Sequence, residues 1–215
     1  MARTIYGTLL RVFLPLLLCA LLGTKAACKQ NNNDVKSLSS IYYKYAGASF
    51  CYLQMSFLLN NKDYAWPGLS KYQFNLAQEK KYAANLIGRF MAIKNLTPIH
   101  EAIPECSSPI SATEYKSKTP VHYLENTEST EEQLLAHLIA QNDTSTHVNH
   151  FITHWFVHYQ HQRLYETTLQ LHKVQSLKSI SEQAIWDGSI VRQSLTIYDY
   201  NKFSELTNVY SECVK

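Results

Sequence analysis

LSSIYYKYAGASFCYLQMSFLL, residues 38–59, places Ile41, Tyr45, Ala48, Tyr52, Met55 and Leu59 at steps of four, three, four, three and four. A helix turns once in 3.6 residues, so these six side chains share one face. A strand would alternate every second residue instead. The stretch therefore predicts a long amphipathic helix that must bury its apolar face against partners.

NNKDYAWPG (60–68) interrupts the pattern with turn chemistry, and the period resumes through Leu69, Tyr72, Leu76, Ala83, Leu86, Phe90 and Ile93. NLTPIHEAIPECSSPIS (95–111) holds Pro98, Pro104 and Pro109 and reads as a long crossover, not a tight hairpin. Thr119 and Pro120 suit the N-cap and first turn of a third helix, whose apolar face is Leu124, Leu134, Leu135 and Leu138. QNDTST turns the chain into a fourth helix over 147–177. A short helix is expected over 181–194, broken at Gly188, with a tail that extends helically towards Val214. Two helices, a long crossover, two more helices and a short fifth make an all-α four-helix bundle.

Residues 1–27 stand apart from this domain. Arg3 and Arg11, the apolar run VFLPLLLCALLG and the small residues Thr24, Ala26 and Ala27 read as a secretory signal peptide. A lipoprotein signal ending at Cys28 is the alternative, but Lys25 stands where that signal needs an apolar residue. The run is too short for a comfortable membrane span, and no membrane partner is expected after cleavage. The formal net charge is +3, and Arg3, Arg11 and Lys25 account for all of it. A neutral mature chain gives no support for nucleic-acid binding. Residues 28–37, CKQNNNDVKS, read as a polar arm; 38–197 form the domain, and 198–215 are a C-terminal extension.

A secreted address permits disulfides. Cys28, Cys51, Cys106 and Cys213 allow three pairings, and spacing does not choose among them. Cys51 falls within the first helix and reads as a buried thiol, which leaves Cys28, Cys106 and Cys213 as the disulfide candidates. Asn95 in NLT and Asn142 in NDT have the form of glycosylation acceptors, the first weakened by Pro98. No glycine-rich phosphate loop, CxxC pair or HExxH is present.

ASFCYLQMSF (48–57) resembles the first-helix signature of ferritins, which reads ASYxYLxMSxxF. LSKYQF (69–74) and AQEKKYAANL (77–86) are similar to the second helix, YLEN (123–126) to the third, and FITHWFVHYQ (151–160) to the fourth, where the family reads FIETHYLNEQ. The resemblance covers roughly residues 40–177 and implies a ferritin-like bundle in a hollow iron-storage shell of roughly 24 subunits. It also implies which positions would build a di-iron ferroxidase centre. Tyr52, Glu125 and Gln160 stand as retained groups, but Tyr45 replaces a glutamate, Lys80 replaces the bridging glutamate and Ala83 replaces a histidine. An iron pair needs anionic oxygens, and Lys80 sets an ammonium among them. The expected outcome is a buried Lys80–Glu125 ion pair across the position.

Tyrosine, lysine and a small residue at these places resemble the non-catalytic ferritin light chain. The resemblance thus implies a structural, ferroxidase-inactive subunit. It would assemble with copies of itself and a catalytic heavy-type chain, with iron as stored mineral. On the second-helix face that lines a ferritin cavity, Lys71, Phe74, Asn75, Gln78, Glu79, Lys81 and Tyr82 offer one carboxylate, so mineral nucleation is not expected to be strong. Glu79 itself reads as a solvated helix charge and a weak metal candidate.

HVNHFITHWFVHYQH (147–161) sets His147, His150, His154, His158 and His161 at steps of three, four, four and three. The resemblance places His150 and Thr153 where two channel carboxylates belong. His154 and Gln160 are six residues apart, about 240° around a helix, so an inward Gln160 turns the stripe away from the core. Three readings stay open: a contact or solvent face, a pH-sensitive interface, or Zn or Cu binding through His147, His150 and His154. The last suits a second function, a ferritin-derived binding protein that forms no iron shell.

Overall fold

The computed structural model describes residues 31–60, 66–104, 106, 119–141 and 143–190, and all described secondary structure is helical. The chain is all-α. Helix α1 spans Asn32–Leu59, α2 Pro67–Ile93 and α3 Pro120–Ile139. A fourth rod runs through α4 (Thr146–Ile152), one π-helical turn (Thr153–Val157) and α5 (His158–Gln175). Helix α6 is Ile180–Ile190. None of these is long and apolar enough to cross a membrane. The expected signal peptide, Cys28, Asn142, Cys213 and the expected C-terminal extension lie outside the described residues.

The apolar faces do meet in one core. Ile41, Tyr45, Ala48, Tyr52, Met55 and Leu59 are all buried, against Leu69, Tyr72, Leu76, Ala83, Leu86 and Phe90 of α2. Leu124, Leu134 and Leu138 of α3 and Val148, Phe151, Phe156, Leu171 and Val174 of the fourth rod complete it. Phe90 and Phe151 stack with ring centres 3.9 Å apart.

Two boundaries differ from expectation, at the start of α1 and at Gly188, and one agrees, at Pro120. Residues 32–37 are the first turns of α1, not an arm: Val35 is buried, and the Asp34 carboxylate accepts the Ser145 N–H at 2.7 Å. That bond ties the start of α1 to the start of the fourth rod, and a carboxylate in a first helical turn suits the helix dipole. Helix α3 starts at Pro120, where a missing N–H costs nothing. Gly188 does not break α6, which runs through it.

The N-terminus of α2 is capped from far along the chain. Asp187 in α6 accepts the N–H groups of Gly68 at 2.8 Å and Leu69 at 2.7 Å. A Cβ on Gly68 would sit 1.8 Å from the Asp187 carbonyl oxygen, so only glycine admits this close crossing. At the other end of α2 the Leu96 N–H returns to Met91 O and the Asn95 N–H to Ala92 O. This is a Schellman cap with Asn95 at φ 52°. Asn95 is exposed, so capping and a glycan are compatible there.

The start of the crossover lies along α1 as a strap, on a stripe with four-residue spacing. The Ile99 N–H donates to Ser39 Oγ at 3.0 Å, Tyr43 Oη meets His100 Nδ1 at 3.3 Å, and Pro104 seats against Gly47. Cys51 and Cys106 close it with a disulfide, Cα–Cα 5.4 Å. The expectation of a buried Cys51 thiol is thereby corrected: Cys51 is half-buried and bonded.

Candidate functional site

The middle of the core is polar. Lys80 from α2 is fully buried, and its Nζ lies 2.6 Å from Glu131 Oε2, 3.2 Å from Gln160 Oε1 and 3.6 Å from Glu79 Oε1. It also sits 5.6 Å above the Tyr45 ring. Tyr52 donates to Glu131 Oε1 at 2.5 Å, and Tyr45 donates to Gln160 Oε1 at 3.1 Å. Gln160 Nε2 donates to the Glu131 carbonyl at 3.0 Å and to its carboxylate. Each charged or amide group is thus matched, as burial in a low-dielectric interior demands. Ala83, one turn beyond Lys80, contributes only a buried methyl group.

Four of the expected positions therefore converge: Tyr45, Tyr52, Lys80 and Gln160. Glu125 does not. Its side chain is 51% exposed and lies 4.0 Å from His122 Nδ1. The partner of Lys80 is Glu131, six residues later. The signal for this was in the sequence. Glu131 stands seven residues after Leu124, three before Leu134 and seven before Leu138, on the apolar stripe of α3. Glu125, next to Leu124, is about 100° off that stripe.

A second ion pair adjoins the first. Glu79 is 2% exposed, not a solvated charge, and its Oε2 lies 2.6 Å from Arg163 Nη2. Arg163 Nε donates to Glu79 Oε1 at 3.1 Å, Nη2 to Tyr159 Oη at 2.8 Å, and Nη1 reaches Glu166. Burial pushes the Glu79 carboxyl above its usual range, although Lys80 and Arg163 pull it back. Burial and the nearby Glu131 charge hold the Tyr45 and Tyr52 hydroxyls well above the ordinary phenol value. Of the other residues on the expected cavity face, Lys71, Gln78 and Lys81 are exposed, and Phe74, Asn75 and Tyr82 half-buried.

The π turn explains how Gln160 and Arg163 reach the core. Val148, Ile152, Phe156 and Gln160 are buried at successive steps of four. On a uniform α-helix three such steps drift about 120° around the axis. A turn with one extra residue absorbs that drift and keeps the face inward. The same turn leaves His147, His150, His154, His158 and His161 all exposed. The rings of His150 and His154 stack, with centres 5.6 Å apart and planes 8° from parallel. Among the described residues no three or more His, Cys, Asp or Glu gather as a metal-binding group.

No family model matches the chain, and no curated protein sequence matches it. The polar centre and the histidine face are thus interpreted from their own chemistry: a closed set of internal ion pairs, and an open row of imidazoles.

Proposed function

We propose that this chain is a structural, ferroxidase-inactive subunit of a secreted ferritin-type shell, with a ferritin-like four-helix bundle as its fold. It assembles with copies of itself and with a catalytic heavy-type chain, and iron is the cargo of the shell. The observation that carries this reading is the Lys80 ammonium, which lies between Glu131 and Gln160 where the resemblance puts a bridging carboxylate. A fixed cation bonded to the remaining anion opposes a second cation at the same place by simple charge repulsion. The order of helices around a long crossover supports the bundle, and the Cys51–Cys106 disulfide suits an oxidising compartment.

The test is the native mass of the secreted protein from its source, with a denaturing gel to count chain types. A shell-sized particle that contains a second, heavy-type chain is expected. A monomer or small oligomer would overturn the reading. It would favour instead a ferritin-derived binding protein, for which the exposed histidine row is the specific observation.

A further inference from the structure

We propose that His150 and His154 form a two-imidazole site for a borderline divalent transition metal, Cu(II) or Zn(II), complete within a single chain. This goes beyond the structural role above and does not depend on shell assembly. Residues four apart on a helix face each other across one turn. Here that adjacency is realised, with ring centres 5.6 Å apart and nearly parallel planes. At Zn–N distances of about 2.0–2.1 Å and tetrahedral angles, two imidazoles on one metal have centres about 5 Å apart. Stacked parallel rings share no in-plane point, so binding also requires each ring to turn about χ2, a broad and soft torsion, until one nitrogen of each aims at the metal.

Both rings are exposed, and neither makes a hydrogen bond or ion pair among the described residues. Their backbone is anchored: Val148, Phe151, Ile152 and Phe156, which flank the two histidines, are all buried. The metal therefore meets donors on a rigid base, which favours tight geometry over flexible capture. Neutral imidazoles suit copper and zinc and not magnesium or calcium, which take oxygen ligands. With two protein donors, water completes the coordination.

His154 also stands edge-on to Trp155, with ring centres 5.3 Å apart, and this supplies a readout. Copper at the site quenches Trp155 fluorescence. The experiment titrates the untagged protein, in its native assembly, with Cu(II) by fluorescence and with Zn(II) by calorimetry. One metal per chain is expected, with quenching that saturates at that ratio. His150→Gln and His154→Gln should each weaken binding at least about tenfold, the low end of what losing even an outer-shell partner costs. His161→Gln, on the same exposed row, should leave affinity unchanged. Trp155→Phe should remove most of the quenching and keep the stoichiometry. A flat titration, or a His150→Gln/His154→Gln double variant that binds as the parent does, would overturn the proposal.

Discussion

Gln160 and His161 are neighbours in sequence and opposites in environment. Gln160 is fully buried and bonded to Tyr45, Lys80 and Glu131, whereas His161 faces solvent with the rest of the histidine row. The same rod thus serves two regions of contrary character. Inside, Lys80 is paired with Glu131, and Arg163 with Glu79 and Glu166. Outside, the imidazoles of the row are exposed and make no hydrogen bond or ion pair among the described residues. What separates the regions is how many partners the fold supplies.

The largest expected effect is alkaline unfolding. Tyr45, Tyr52, Tyr72 and Tyr159 all have their hydroxyl pKa raised, first by burial. A group whose folded pKa lies above its unfolded value contributes stability that is complete below the unfolded value, about pH 10 for tyrosine. That contribution is lost as pH rises through the folded value. Near-ultraviolet absorbance should therefore show these tyrosines ionising together with the loss of helix, followed by circular dichroism. Ionisation of all tyrosines near pH 10 with the helices intact would break the picture of a sealed centre.

Next in size is Lys80→Met, which leaves Glu131 as an unpaired buried anion and should cost about 3–5 kcal/mol in thermal or denaturant unfolding. Adding Glu131→Gln removes the stranded charge and keeps one acceptor oxygen, for Tyr52, so the double variant should regain part of that loss. Additive costs in this double-mutant cycle would show that the two groups do not act as a pair.

The disulfide comes third. Cys51 and Cys106 are 55 residues apart in sequence, and Cys51→Ser/Cys106→Ser should cost about 2–4 kcal/mol. The melting point of the double variant should no longer respond to reductant. An unchanged melting point in both parent and variant would mean that the strap contributes nothing to stability.

The smallest effect belongs to the outer face. Without metal, His150→Gln or His154→Gln should move stability by no more than about 0.5 kcal/mol, as for other exposed positions. A loss comparable to that of Lys80→Met would place these rings in an interface, and the contrast between the two regions would fail.

Much of the fold is legible in the sequence because helix faces are written in local spacing. Ile41 to Leu59 and Leu69 to Phe90 needed only a period of 3.6. Glu131 was equally legible on the stripe of α3, but it is polar, and a search for apolar residues passes over it. Other features depend on contacts that local spacing does not encode. Asp187 caps α2 across more than a hundred residues, and Cys51 finds Cys106 only because the crossover lies along α1. The π turn at Thr153–Val157 has ordinary helical neighbours on both sides, and only the run of four-residue steps in the buried face betrays it. Asp34 reads as part of a polar arm because its partner, the Ser145 N–H, lies 111 residues away in the sequence.

In the proposed reading, the Lys80 ammonium closes the interior to oxidative iron chemistry. This is tested most directly by the rate of Fe(II) oxidation by the folded chain alone, at neutral pH, against buffer. The two rates are expected to be indistinguishable. A saturable rate above buffer that rises in proportion to chain concentration would contradict it.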